Sequence, residues 1–88
     1  MIEREVVIKN RSGVHTRPAA AIVKTAARFK AEFTIIKDGM EINGKSIIGV
    51  MTLAAEQGST LTLQFSGDDE SQAADAVIDL FERGFDEK

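Results

Sequence analysis

The only histidine in these 88 residues is His15, in GVHTRPAA, two positions before Arg17 and three before Pro18, the only proline. Imidazole in its neutral form is a nucleophile and can carry a transferred group covalently. A guanidinium two residues away offers a planar fork of donors that matches phosphate oxygens. Pro18 suits the first turn of a helix, whose outward N–H groups and dipole favour negative charge, and Ala19-Ala20-Ala21 leave little bulk nearby. The set is competent to accept a phosphoryl group, hold its charge and release it.

A second stretch also suggests phosphate. GMEINGKS, residues 39 to 46, fits the phosphate-loop pattern of two glycines with four residues between them, followed by Lys45 and Ser46. Such loops normally belong to larger parallel sheets with a downstream acidic strand that holds the metal. Here the only later strand-like run, TLTLQFS, reaches Gly67 before Asp68, and Glu41 would sit inside the cradle. The residues read better as an Asp38-Gly39 hairpin, a return strand, an Asn43-Gly44 turn and Ser46 as a helix N-cap.

The elements that must position His15 follow from periodicity. IEREVVI, 2 to 8, ends in a β-branched run and reads as a strand, closed by the turn formers Asn10 to Gly13. Ala19, Ile22, Val23, Ala26 and Phe29 recur at helical spacing, predicting a helix over 17–29. Glu32 to Lys37 and Met40 to Asn43 form the hairpin, and IIGVMTLAAE after Ser46 forms a short helix. In TLTLQFS, Leu61, Leu63 and Phe65 alternate with polar residues, the mark of a sheet with one solvated face. A last helix follows the acidic Asp68-Asp69-Glu70, packs Ala74, Val77, Ile78 and Phe81, and stops at Gly84. The order βαββαβα predicts an α+β open-faced sandwich, a four-stranded antiparallel sheet with three helices on one face, in a single domain over 1–88.

Composition narrows the function. No cysteine is present, so neither disulfides nor thiolate metal sites are available, and no cofactor or metal is expected. The charged N-terminus lacks a signal-peptide core and no stretch is apolar enough to span a bilayer, so a cytoplasmic chain without membrane contact is expected. Net charge is only −3, yet Lys9, Arg11, Arg17, Lys24, Arg28 and Lys30 occur between Val6 and Ala31 without an acid. That region suits a negative partner or a negative group. A nucleic-acid module is one alternative, opposed by net acidity and by strands without Trp or Tyr for base stacking. A small hydrolase is another, with one histidine and no evident acid/base cluster to serve it.

GVHTRPAA together with KSIIGVM at 45 to 51 resembles the HPr family, the histidine-containing phosphocarriers of the bacterial phosphoenolpyruvate-dependent phosphotransferase system, and the similarity spans the whole chain. The resemblance implies a carrier, not an enzyme. In it, His15 takes a phosphoryl group on Nδ1 from phosphorylated enzyme I and passes it to a histidine of an enzyme IIA. Arg17 stabilises the charge of the travelling group, and amides at the helix start bind its oxygens. Ser46 matches a serine that HPr kinase/phosphorylase modifies in many bacteria; the added charge would be tolerated at a helix N-terminus and would repel an acidic partner. Ile47, Ile48 and Met51 on the apolar second helix are candidate partner contacts, alongside Thr16, Ala20, Lys24 and Lys45. Core packing is the competing explanation for that helix, above all for Val50 and Leu53. A monomer is expected. The nearest rival function is a purely regulatory HPr-like protein, acting through Ser46 in a bacterium where the system transports no sugar.

Overall fold

The structure, a computed structural model, describes residues 1–87. Seven elements follow in the order expected: β1 (Ile2–Val7), α1 (Thr16–Ala26), β2 (Glu32–Lys37), β3 (Met40–Asn43), α2 (Ile47–Thr52), β4 (Thr60–Ser66) and α3 (Glu70–Glu82). The strands form one antiparallel sheet in the order β1-β4-β2-β3. The last-made strand is therefore central, with β1 and β2 on either side.

Register follows from the alternation. Leu61, Leu63 and Phe65 of β4 are buried, facing Val6, Arg4 and Ile2 across β1. On the other side Leu63 and Phe65 face Ile35 and Phe33 of β2. The Phe33 and Phe65 rings stack with centroids 4.7 Å apart. α1 contributes Ala19, Ile22 and Ala26 to this core, α2 contributes Val50, and α3 contributes Ala73, Ala74, Val77, Leu80 and Phe81. Each large apolar side chain buried this way stabilises the fold by about 1.5–3 kcal/mol relative to exposure. Glu3, Glu5, Glu32 and Glu41, at alternate positions to the buried ones, remain exposed. Among the described residues no helix is long and apolar enough to cross a membrane.

The phosphate-like motif resolves as turns. Asp38 and Gly39 both have positive φ (51° and 83°), the two-residue hairpin geometry that joins Lys37 to its partner Met40. Gly44 is buried where a Cβ would overlap the Phe33 ring, so this glycine serves packing.

Two helices end earlier than their periodicity predicts, each because distant groups take over the backbone. α1 stops at Ala26, not Phe29; the N–H groups of Arg28 and Phe29 reach back only three residues, to Thr25 and Ala26. The Phe29 carbonyl then accepts from Lys45 Nζ at 2.7 Å, and the Asp69 carboxylate accepts the N–H groups of Lys30 and Ala31, each at 2.8 Å. Asp69, expected to favour its own helix start, thus fastens the α1–β2 connection; the Lys30 amide is the main cause that holds its carboxyl below the usual range. α2 stops at Thr52. Ala54 adopts a left-handed conformation (φ 49°), which delivers the Ala55 carbonyl to the Val14 N–H at 2.9 Å.

Candidate functional site

The segment carrying His15 is fixed before the helix begins. Gly13 N–H closes a turn onto the Asn10 carbonyl at 3.2 Å, and Asn10 Nδ2 donates to the Gly13 carbonyl at 2.7 Å. Gly13 has φ +69°, and a Cβ there would overlap the Ala55 carbonyl oxygen. The backbone is therefore clamped between its own turn and the loop after α2, and His15 emerges in a set direction.

His15 is the N-cap of α1, with extended backbone (φ −89°, ψ −165°), and its carbonyl accepts from Ala19 N–H at 2.9 Å. Its side chain caps nothing, and Pro18, the third helical residue, has no N–H. The N–H groups of Thr16 and Arg17 are left as the helix's outward donors, with no hydrogen-bond partner among the described residues. The first turn holds no acidic residue, so the positive end of the helix is uncompensated from within.

The imidazole is about 43% exposed, and Nε2 lies 3.0 and 3.2 Å from the two carboxylate oxygens of Glu87. Glu87 is brought there by a reversal after α3, where Gly84, Phe85 and Asp86 all take positive φ near 60°. Phe85 pins the reversal by packing edge-on against Phe81 at 5.0 Å, and Arg83 bonds both Asp79 and Asp86. Glu87 Oε1 also accepts from Asn10 Nδ2 at 2.8 Å, so one buried asparagine holds both the His15 turn and the Glu87 carboxylate. The Asn10 amide is the main cause lowering the Glu87 carboxyl below its ordinary value, with burial opposing it; the His15 hydrogen bond and the charges of His15 and Arg17 add to the lowering. An ionised carboxylate has no proton to give, so Nε2–H donates, and in a neutral ring the lone pair would then fall on Nδ1. Neither Asn10 nor Glu87 stood out in the sequence, the first as one turn residue among four, the second beyond the last periodic helix. The reversal that joins them is three left-handed residues, two of them non-glycine, and periodicity carries no sign of it.

Arg17 is exposed one turn-step from His15, near enough for its charge to act on Glu87. Thr16, Ala20 and Lys24 are also exposed on α1. Lys45 is half-buried, its ammonium committed to the Phe29 carbonyl. α2 packs against α1 and presents Ile47, Ile48 and Met51 to solvent, Ile48 at 77% exposure, while Val50 and Leu53 are buried in the core. Ser46 caps α2 as expected: its backbone is extended and its Oγ accepts Gly49 N–H at 3.1 Å.

The one-sided sheet-and-helix fold, with an exposed histidine clamped at a helix start, agrees with what comparison with known families shows, the fold of histidine-containing phosphocarriers. The family model described as "PTS HPr component phosphorylation site" matches residues 2–83, and the chain belongs to this family. It is 44% identical to the phosphocarrier protein HPr of Treponema pallidum over the full length of both chains. It is also 46% identical to the HPr-like protein Crh of Halalkalibacterium halodurans, covering 94% of this chain and 99% of that one. Among solved structures, HPr-C-His from Thermoanaerobacter tengcongensis superposes with a TM-score of 0.96 at 43% identity, covering 100% of this chain and 99% of that one.

Proposed function

We propose that this single-domain protein accepts a phosphoryl group on Nδ1 of His15 from phosphorylated enzyme I and transfers it to a histidine of an enzyme IIA, in the cytoplasm and as a monomer. The observation that supports this most directly is the ring itself: exposed, tied through Nε2, and standing at a helix start with two N–H groups that have no partner among the described residues. Those amides of Thr16 and Arg17 bind phosphoryl oxygens, and the Arg17 guanidinium neutralises their charge as the P–N bond exchanges. Ile47, Ile48 and Met51 supply an apolar docking patch, with Thr16, Ala20, Lys24 and Lys45 beside it. Ser46 is a regulatory site for an HPr kinase/phosphorylase, since a phosphate there sits between that patch and the hairpin.

Incubation with enzyme I and phosphoenolpyruvate, followed by mass spectrometry, is expected to add one acid-labile phosphate to the protein and none to His15→Ala. Labelling that persists in His15→Ala would overturn the proposal. The second reading, a regulator working through Ser46 alone, is favoured by the similarity to an HPr-like protein named Crh. It predicts acid-stable phosphate on Ser46 from kinase and ATP, and no acid-labile phosphate from enzyme I.

A further inference from the structure

One reactive pair of residues takes no part in phosphoryl transfer. Asn43-Gly44 joins β3 to α2, and an asparagine followed by glycine loses its side-chain amide readily, because no Cβ obstructs attack by the next backbone nitrogen. Asn43 is exposed, so water reaches it. Asn10, the only other asparagine, is buried and precedes Arg11. Packing holds the dipeptide in place, since a Cβ on Gly44 would overlap the Phe33 ring. Asn43 Oδ1 accepts Lys45 N–H at 2.9 Å, and the Asn43 carbonyl accepts Ser46 N–H at 3.0 Å. The first bond keeps the side-chain carbonyl turned back along the chain past Gly44. It also puts a donor on the oxygen that becomes negative when its carbon is attacked. One bond opposes the reaction: Gly44 N–H donates to the Phe33 carbonyl at 2.8 Å. That bond lies one step beyond the Thr34–Asn43 pair, at the end of an edge strand, where local opening is easiest.

We propose that Asn43 is a site of spontaneous deamidation, gated by the bond between Gly44 and Phe33. When that bond opens, the Gly44 nitrogen gives its proton to hydroxide and forms a bond to the Asn43 side-chain carbonyl carbon. The bond from that carbon to its amide nitrogen breaks, and the nitrogen leaves as ammonia with a proton from water, which regenerates the hydroxide. Water then opens the cyclic imide at either carbonyl. Cleavage at the side-chain carbonyl restores the ordinary backbone and yields aspartate. Cleavage at the main-chain carbonyl leaves the chain running through the side chain and yields isoaspartate. Either product carries a new negative charge three residues before Ser46. Aspartate still accepts Lys45 N–H, now as a carboxylate. Isoaspartate lengthens the backbone by a methylene at the turn whose Asn43 carbonyl holds the Ser46 N–H, and Ser46 caps α2.

The test needs no partner protein, so its outcome is independent of the phosphocarrier reading. The full chain is incubated at mildly alkaline pH beside a synthetic peptide of residues 38–45, the fragment that trypsin releases, in which Asn43 carries the only side-chain amide. After digestion, that fragment is expected as two chromatographically separate products, each with the mass gain of an amide exchanged for an acid. The rate in the folded protein is expected to be roughly ten- to a hundredfold below that of the free peptide, the ratio set by opening at the strand end. Conversion under about 1% after about ten half-lives of the peptide would overturn the site, because the turn would then open only with the whole molecule. A rate equal to the peptide's would overturn the gate. The purified isoaspartate form is expected to melt roughly 4–8 °C below the unmodified protein, and the aspartate variant Asn43→Asp close to it. An unchanged midpoint in the isoaspartate form would overturn the link from this turn to α2.

Discussion

At the scale of single residues, the proposed site consists of His15 and the groups that surround it. His15 and Arg17 were legible because their types and spacing match a chemistry. Asn10 and Glu87 were not, because what makes them matter is a contact between chain positions 10 and 87, and nothing local signals it. That contact also has a pH dependence with a definite sign. Glu87 has a carboxyl held below its ordinary 4.5, so its contribution is present above that value and is lost as pH falls through the lower, folded one. Acidification from about pH 6 to about pH 3 is therefore expected to release the Asn10 side-chain amide, visible as movement of its NMR signals with a midpoint below 4.5. A midpoint at or above that value would mean that the carboxylate is not held as described.

At the scale of elements, β3 and β4 were legible from alternation, β1 from its β-branched run, and the Asp38-Gly39 turn from its dipeptide. The helix ends were not. α1 gives up its last turn because Lys45 and Asp69 take the backbone groups beyond Ala26, and α2 is cut short so that Ala55 can meet Val14. Periodicity reports which face of a helix is buried; it does not report which distant side chain will claim its terminal carbonyls. The connection between β3 and α2 depends on the close approach of Gly44 to the Phe33 ring, which itself stacks on Phe65. Gly44→Ala is expected to cost about 1–3 kcal/mol through displaced aromatic packing. That loss would appear as a thermal midpoint lowered by roughly 4–8 °C per kcal/mol. An unchanged midpoint would show that the ring can move aside freely.

At the scale of the whole molecule, exposed cations and exposed apolar surface lie on neighbouring elements: Arg17 and Lys24 are exposed on α1, which packs against α2 with its exposed Ile47, Ile48 and Met51. In the docking account proposed above, a negative charge added at Ser46 falls beside the surface that meets enzyme I. Ser46→Asp is expected to weaken enzyme I docking severalfold while leaving the circular dichroism spectrum and thermal midpoint close to wild type, since its backbone position at a helix start tolerates an anion. Equal affinity in a folded variant would remove Ser46 from the docking account. The layered architecture was legible from element order and one-sided alternation, but the strand order was not, because pairing partners are chosen by tertiary packing.

That strand order has a consequence in time. β1 and β2 flank a strand that is made after both of them, and neither pairs with the other. On a growing chain, the β2–β3 hairpin is the only part of the sheet that can close until Thr60–Ser66 has been synthesised. The arrival of β4 then joins both halves in one cooperative event, so the order in which the ribosome delivers the strands delays assembly of the sheet until the last of them has been made.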